Sequence, residues 1–114
     1  MINLPLETPM NDTEFNDAVD ATLLAIEDAI DTLDIDIDLE MSAGILTLTF
    51  ENHSKVIINR QAGTKEIWVA ARSGGFHCAW HDGTWVCGST RETLQMLLSR
   101  VCREQSGAAI ALSF

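Results

Sequence analysis

Between Met1 and Ser54 the chain has no lysine and no arginine, against 13 aspartates and glutamates. From Lys55 to Phe114 there are 7 basic residues and 4 acidic ones, so the formal charge of −10 sits wholly in the first part. The missing cations argue against nucleic acid as a partner, because a phosphate backbone would be repelled. No apolar run approaches the ~20 residues that a membrane-spanning helix needs. Met1 to Met10 has neither the basic n-region nor the long apolar h-region of a secretory signal. Cysteine is scarce, with three residues and no Cys-x-x-Cys pair. That argues against a disulfide framework and for a reducing compartment, so a cytoplasmic protein is expected. Proline occurs only as Pro5 and Pro9. Residues 1–9 therefore read as a flexible N-terminal extension and residues 10–114 as one folded domain. Also missing are a Ser-His-Asp set, a phosphate-cradling glycine loop and a Cys-His nucleophile signature, so no enzyme activity is expected.

What is present is a chain of 114 residues, 46% hydrophobic, long enough to bury one core. Phe15, Val19, Thr22, Ile26, Ala29, Ile30 and Leu33 recur at helical spacing and predict a helix over about Thr13 to Leu33. Asn11 or Asp12 suits its N-cap and Glu14 its positive end. The period then falls to two, with Asp36, Asp38 and Glu40 alternating with Ile37, Leu39 and Met41. This reads as a strand with an apolar face and a carboxylate face. Further strands are expected at Ile45–Phe50, Lys55–Gln61, Glu66–Ala71, Phe76–His81 and Thr84–Cys87. Asp82-Gly83 is a favoured two-residue hairpin turn, and it places Trp80 opposite Trp85 and Cys78 opposite Cys87. Ser89 with Glu92 reads as a capping box before a second helix with the stripe Leu94, Leu97, Leu98, Val101 and Cys102. Gly107 stops that helix. Helix, antiparallel strands, helix predicts an α+β fold: a two-layer α-β sandwich with both helices on one face of the sheet.

The acids between Asp12 and Glu40 have a plain reading, a solvated surface that keeps the protein soluble. Three features count against it. No Lys or Arg interleaves with them. Asp31 and Asp34 crowd the C-terminal end of the helix, where the dipole disfavours anions by about 0.3–1 kcal/mol each. The series continues onto the next strand, so Glu27, Asp28, Asp31, Asp34, Asp36, Asp38 and Glu40 are expected to form one ridge. Exposed carboxylates of this kind bind hard cations weakly and with loose geometry. An EF-hand is excluded, because Leu39 and Ile45 stand where its Gly and bidentate Glu are required. Cys78, His81 and Cys87 match no zinc spacing and read as buried structural thiols with His77 and His81 on the opposite face. Outside the cytosol the facing Cys78–Cys87 pair is open to oxidation. Trp68 alternates with Ile67 and Val69, which puts it on the open sheet face, either as a satellite packing residue or as an interface candidate flanked by Asn59 and Gln61.

Several segments together resemble the bacterial, CyaY-type frataxin family over about Met10 to Gln105. They are Met10-Asn11-Asp12-Thr13-Glu14-Phe15, the acidic helix, Gly44 to Asn52, Ser54 to Gln61 with its Asn59-Arg60-Gln61, Ile67-Trp68-Val69-Ala70, Gly74-Gly75-Phe76-His77 and Trp85-Val86-Cys87. The chain departs from the pattern at Asn16, Thr32 and Ala62-Gly63, and in a shorter helix-to-strand connection. The resemblance implies an accessory role in iron–sulfur cluster assembly beside a cysteine desulfurase and a scaffold protein. It implies weak Fe2+ or Fe3+ binding through Asp12, Glu27, Asp28, Asp31, Asp36, Asp38 and Glu40, and an interface at Trp68. On this reading Glu27, Asp28 and Asp31 also dock onto a basic patch of the desulfurase. The chain is then expected to be a monomer, or to oligomerise with iron. The rival expectation is an acidic protein–protein interaction module without a physiological metal. A ferroxidase would need a buried, ordered site, whereas the sequence offers an exposed ridge.

Overall fold

The computed structural model describes residues 10–114. The expectation of a flexible extension at residues 1–9 lies outside the described residues. The chain order is α1 (Asp12–Asp31), β1 (Ile37–Ser42), β2 (Ile45–Phe50), β3 (Lys55–Gln61), β4 (Glu66–Ala71), β5 (Gly74–His81), β6 (Thr84–Cys87) and α2 (Leu94–Ser106). The strands form one antiparallel sheet in sequential order, β1 to β6. Alternate residues of β2 to β6, among them Leu46, Leu48, Val56, Ile58, Ile67, Val69, Cys78, Trp85 and Cys87, join Phe15, Val19, Leu23, Ile26 and Ile30 of α1 and Leu94, Leu97, Leu98, Val101 and Cys102 of α2 in one buried cluster. Both helices therefore cover the same sheet face, as the amphipathic patterns require. No helix of the described residues is long and apolar enough to cross a membrane.

Local chemistry explains most element ends. Asn11 caps α1, its Oδ1 accepting from the Glu14 backbone N–H at 2.8 Å while Glu14 Oε1 accepts from the Asn11 N–H at 3.1 Å. This reciprocal box satisfies two N–H groups that a helix start leaves unpaired. The β1–β2 turn is Ala43-Gly44, with φ of 52° and 76°, the paired positive values of a type I′ turn. A Cβ at Gly44 would also stand 3.2 Å from Arg60 Nε. Asp82-Gly83 turns β5 into β6 in the same way, with φ of 47° and 83°. The resulting register pairs Trp80 with Trp85 and Cys78 with Cys87, as the sequence predicts.

Three expectations change. The apolar stripe of α1 includes Leu23, buried at 2% exposure, while Thr22 is half-buried. The Thr22 hydroxyl donates to the Ala18 carbonyl at 2.7 Å and accepts from Trp85 Nε1 at 3.0 Å, so a polar side chain docks the β5–β6 hairpin on the helix. The helix ends at Asp31, which leaves Leu33 and Asp34 in the connection. Ser89 does not cap α2; Thr93 does, its side chain accepting from the Met96 N–H. The reason is tertiary. The Cys87 N–H donates to the Glu92 carbonyl at 2.8 Å, Val86 bridges to Thr93, and the Glu92 carboxylate is held by Arg100 through two contacts of 2.9 Å. Residues 88–92 are thereby folded into a loop, with Arg91 at φ 64°, and cannot begin a helix.

Polar residues tie α2 to the sheet. Gln105, 5% exposed, donates through Nε2 to Ser54 Oγ and the Lys55 carbonyl, both at 3.1 Å. Its Oε1 accepts from the Arg72 N–H at 2.8 Å, and its backbone carbonyl accepts from Asn52 Nδ2 at 2.6 Å. The end of α2 is thus latched to the β2–β3 and β4–β5 turns. After Gly107 (φ 72°) the tail lies across the domain: Ile110 and Leu112 are buried, and the Leu112 N–H donates to the buried Ser99 hydroxyl at 3.0 Å.

Candidate functional site

The acidic residues separate into distinct places. Asp12 is at the N-terminus of α1, ion-paired with Lys65 at 3.4 Å. It lies about 22–28 Å along the helix axis from Glu27 to Asp31, at about 1.5 Å per residue, and so does not share a site with them. Asp20 is paired with Arg60, which also donates to Asn16 Oδ1 at 2.7 Å. Glu27 is half-buried, and Asp28 and Asp31 are exposed in the last turns of α1. Asp34 and Asp36 stand exposed in the connection to β1. Asp38 and Glu40 face Thr49 and Thr47 across the β1–β2 pair and alternate with Ile37 and Leu39, which pack on the core. They therefore project to the sheet face away from the helices. The acids wrap around the edge strand from the helix layer to the open sheet face.

Among the described residues, none of Glu27, Asp28, Asp31, Asp34, Asp36, Asp38 and Glu40 makes an ion pair. Nor, among the described residues, do three or more His, Cys, Asp or Glu side chains converge closely enough to enclose a metal ion. The donor set consists of carboxylate oxygens, exposed except on the half-buried Glu27. Such donors suit hard cations, held by few protein oxygens and completed by water. The arrangement supplies negative potential along one edge rather than a preformed cage.

Trp68 occupies the second candidate surface. It pairs across the ladder with Asn59 on β3 and His77 on β5, on the face opposite the helices. The side chain is half-buried, because the His77 ring stacks on it at 4.2 Å between centroids and 10° between planes. Trp68 Nε1 donates to Glu66 Oε1 at 3.0 Å. Gln61 pairs with Glu66, so it does lie beside this group on the same face. Ile57, Asn59, Ala70 and Gly75 complete a pocket of about 170 Å³ around the two rings. The His77 contact was not read from the sequence. The two-residue turn Arg72-Ser73 between β4 and β5 sets the register that brings His77 opposite Trp68.

The cysteines are all free and buried. Burial pushes the Cys78 thiol up to about 12, with Cys87 adding to the shift, and burial alone raises Cys102 to about 12. Burial also opposes ionisation of Cys87, but hydrogen bonds from Ser89 and Thr90 outweigh it and hold that thiol below the ordinary cysteine value. No member of the Cys78–Cys87 hairpin joins the acidic edge.

Two helices on one face of a six-stranded antiparallel meander, with an acidic edge and an aromatic patch on the open face, define a two-layer α-β sandwich. The chain belongs to the frataxin-like family, whose model matches residues 8–108. It is 45% identical over 103 residues to the "Iron-sulfur cluster assembly protein CyaY" of Ectopseudomonas mendocina, covering 89% of this chain and 94% of that one. A protein of the same name from Tolumonas auensis is 46% identical over 103 residues, covering 90% and 99%. Among solved structures, a frataxin from Psychromonas ingrahamii superposes with a TM-score of 0.85 at 32% identity, covering 92% of this chain and all of that one. The trimeric frataxin of the yeast Saccharomyces cerevisiae, in its ferrous complex, gives 0.65 at 27% identity, covering 92% and 94%.

Proposed function

We propose that this chain is an accessory protein of iron–sulfur cluster assembly that binds Fe2+ or Fe3+ weakly on its acidic edge and docks onto a cysteine desulfurase–scaffold complex. The observation that carries this reading is the run of seven carboxylates from Glu27 to Glu40 with no ion-pair partner among the described residues. Uncompensated like charges on one edge destabilise the folded chain, and a bound cation or a basic protein surface relieves that repulsion. The frataxin-like family membership, the names of the CyaY relatives and the ferrous complex of the yeast frataxin support iron as the cation and cluster assembly as the process. Glu27, Asp28 and Asp31 serve both roles, so bound iron and a docked desulfurase compete for the same charges. Trp68, Asn59 and Gln61 form a separate, less charged contact surface on the open sheet face. No residue is assigned a catalytic step.

The test is titration of the protein with Fe2+ and with Fe3+, followed residue by residue in NMR. Signals of Glu27 to Glu40 should shift or broaden first, and the variant Glu27→Gln/Asp28→Asn/Asp31→Asn should respond at higher iron concentration. Asp12, ion-paired and distant, should respond separately. A titration that leaves the acidic edge unperturbed, while salt-sensitive docking to a desulfurase persists, would reduce the function to an interaction module.

A further inference from the structure

The β5–β6 hairpin holds two thiols that the proposed function does not use. Cys78 and Cys87 are directly opposite each other in the ladder, and both are fully buried and free. The pattern of backbone bonds shows which kind of pair they form. The Gly88 N–H donates to the His77 carbonyl at 3.1 Å, so positions 77 and 88 are a hydrogen-bonded pair. Antiparallel pairs alternate, which makes 78 and 87 a non-hydrogen-bonded pair. The Cys87 N–H agrees: it turns away from β5 and donates to Glu92 instead. In such pairs the Cα atoms are roughly 4.5 Å apart and the side chains are closest. A disulfide spans Cα separations of about 4.4–6.8 Å, so the backbone spacing of this kind of pair is one that a disulfide can bridge.

We infer that Cys78 and Cys87 form a reversible redox dithiol, oxidised by hydrogen peroxide to a cross-strand disulfide. Cys87 reacts first. It sits at the last residue of β6, an edge strand of four residues, and its Sγ is 3.5 Å from the hydroxyl of exposed Ser89. Opening the end of one short edge strand suffices to admit a peroxide molecule. Hydrogen bonds from Ser89 and Thr90 favour its thiolate, whereas burial keeps Cys78 protonated. The Cys87 thiolate attacks the peroxide O–O bond, giving a sulfenic acid, and the displaced hydroxide takes a proton to leave as water. The Cys78 sulfur then attacks the sulfenic sulfur. The S–S bond forms, the S–O bond breaks, and the Cys78 proton leaves with the hydroxyl as a second water. Two thiols are oxidised and one peroxide is reduced. A dithiol reductant reverses the reaction by thiol–disulfide exchange. Cys102 on α2 has no facing thiol and stays outside the chemistry.

The sequence makes the test direct. No lysine or arginine lies between Arg72 and Arg91, so trypsin releases both cysteines in one peptide, residues 73–91, and Cys102 in another. Native protein is treated with hydrogen peroxide, alkylated in denaturant without reduction, digested and weighed. The expected result is a 73–91 peptide that is lighter by two hydrogens and unalkylated, a Cys102 peptide still alkylated, and recovery of both alkylation sites after dithiothreitol. In the Cys78→Ser variant the cross-link should be absent and a sulfenic acid at Cys87 should be trapped by dimedone. Oxidised parent protein should also unfold at a higher temperature, since the cross-link restricts the unfolded chain. The inference is overturned if the native 73–91 peptide retains two alkylatable thiols, if it gains sulfinic or sulfonic oxygen without a cross-link, or if the disulfide forms only after unfolding.

Discussion

The two helices handle charge in opposite ways. In α2, Arg100 bonds Glu92 through two contacts of 2.9 Å, reaches Glu104 one turn on at 3.2 Å, and lies 5.5 Å from the centroid of the Phe76 ring. Arg103 stands in the last turn, where the dipole favours a cation, and donates to the Ile110 carbonyl. In α1 the last turn has Asp28 and Asp31 and no basic residue. The first half of α1 is compensated, through Asp12–Lys65 and the Asp20–Arg60 pair, but among the described residues the acids from Glu27 to Glu40 have no ion-pair partner. Both helices bury a similar apolar face, so the fold does not need the acids of α1. Charge in α2 is part of the architecture, whereas charge at the end of α1 and along β1 is presented outward.

The largest effect should come from breaking the polar latch of α2. Gln105→Ala removes the partner of the Arg72 N–H, the Lys55 carbonyl and Ser54. The bond to Ser54 is buried and the two backbone bonds are partly buried, and stranding a buried polar partner costs about 1–3 kcal/mol. A loss on the order of 3 kcal/mol is expected in urea unfolding, and a variant as stable as the parent would show the latch to be dispensable.

Arg100→Met keeps the aliphatic stem and deletes the charge. The Glu92 pair is partly screened, so a loss of about 1–2 kcal/mol is expected. The hydrogen bond from Arg100 is the main cause that holds the Glu92 carboxyl below its ordinary value of 4.5. A depressed folded-state value means stability that is present above the unfolded value and is lost as pH falls through the folded one. The parent should therefore lose this contribution below about pH 4.5. Glu92→Gln should flatten the acid limb of the stability profile, and an unchanged limb would remove the pair from the ledger of stabilising contacts.

At the other helix the sign reverses. Glu27→Gln/Asp28→Asn/Asp31→Asn should raise stability in metal-free, low-salt buffer by about 1 kcal/mol, because repulsion and an unfavourable dipole contact are relieved. Added salt should stabilise the parent more than the variant. A parent melting temperature indifferent to salt would equalise the two helices and end the comparison.

A stability change no larger than about 1.5 kcal/mol is expected from the ring pair on the open sheet face. Trp68→Ala removes a stacked pair with His77 and leaves the core intact, so it should cost about 0.5–1.5 kcal/mol. Its effect belongs to partner assembly. In pull-down on a desulfurase–scaffold complex at two salt concentrations, Trp68→Ala should weaken retention at both. The α1 triple variant should mainly reduce the salt dependence. Circular dichroism checks the fold, and an unfolded Trp68→Ala would place that residue in the core.

Period and turn chemistry alone determined the element list of this protein, with both type I′ hairpins and the pairing of Trp80 with Trp85 and Cys78 with Cys87. These depend on alternation and on residues that tolerate positive φ, which neighbours in sequence decide. The acidic asymmetry, Trp68 on the open face and the open-face position of Asn59 and Gln61 were legible for the same reason. The start of α2, the burial of Ser99 and Gln105, the stacking of His77 on Trp68, and the division of the acids between the helix layer and the open sheet face were decided by tertiary structure. Gln105 reads as a surface residue until Ser54 and Lys55, some 50 positions away, supply partners. Glu92 reads as a capping residue until Arg100 takes its carboxylate. Polar side chains are placed by the partners that the fold brings to them, because only a satisfied hydrogen bond offsets the loss of water.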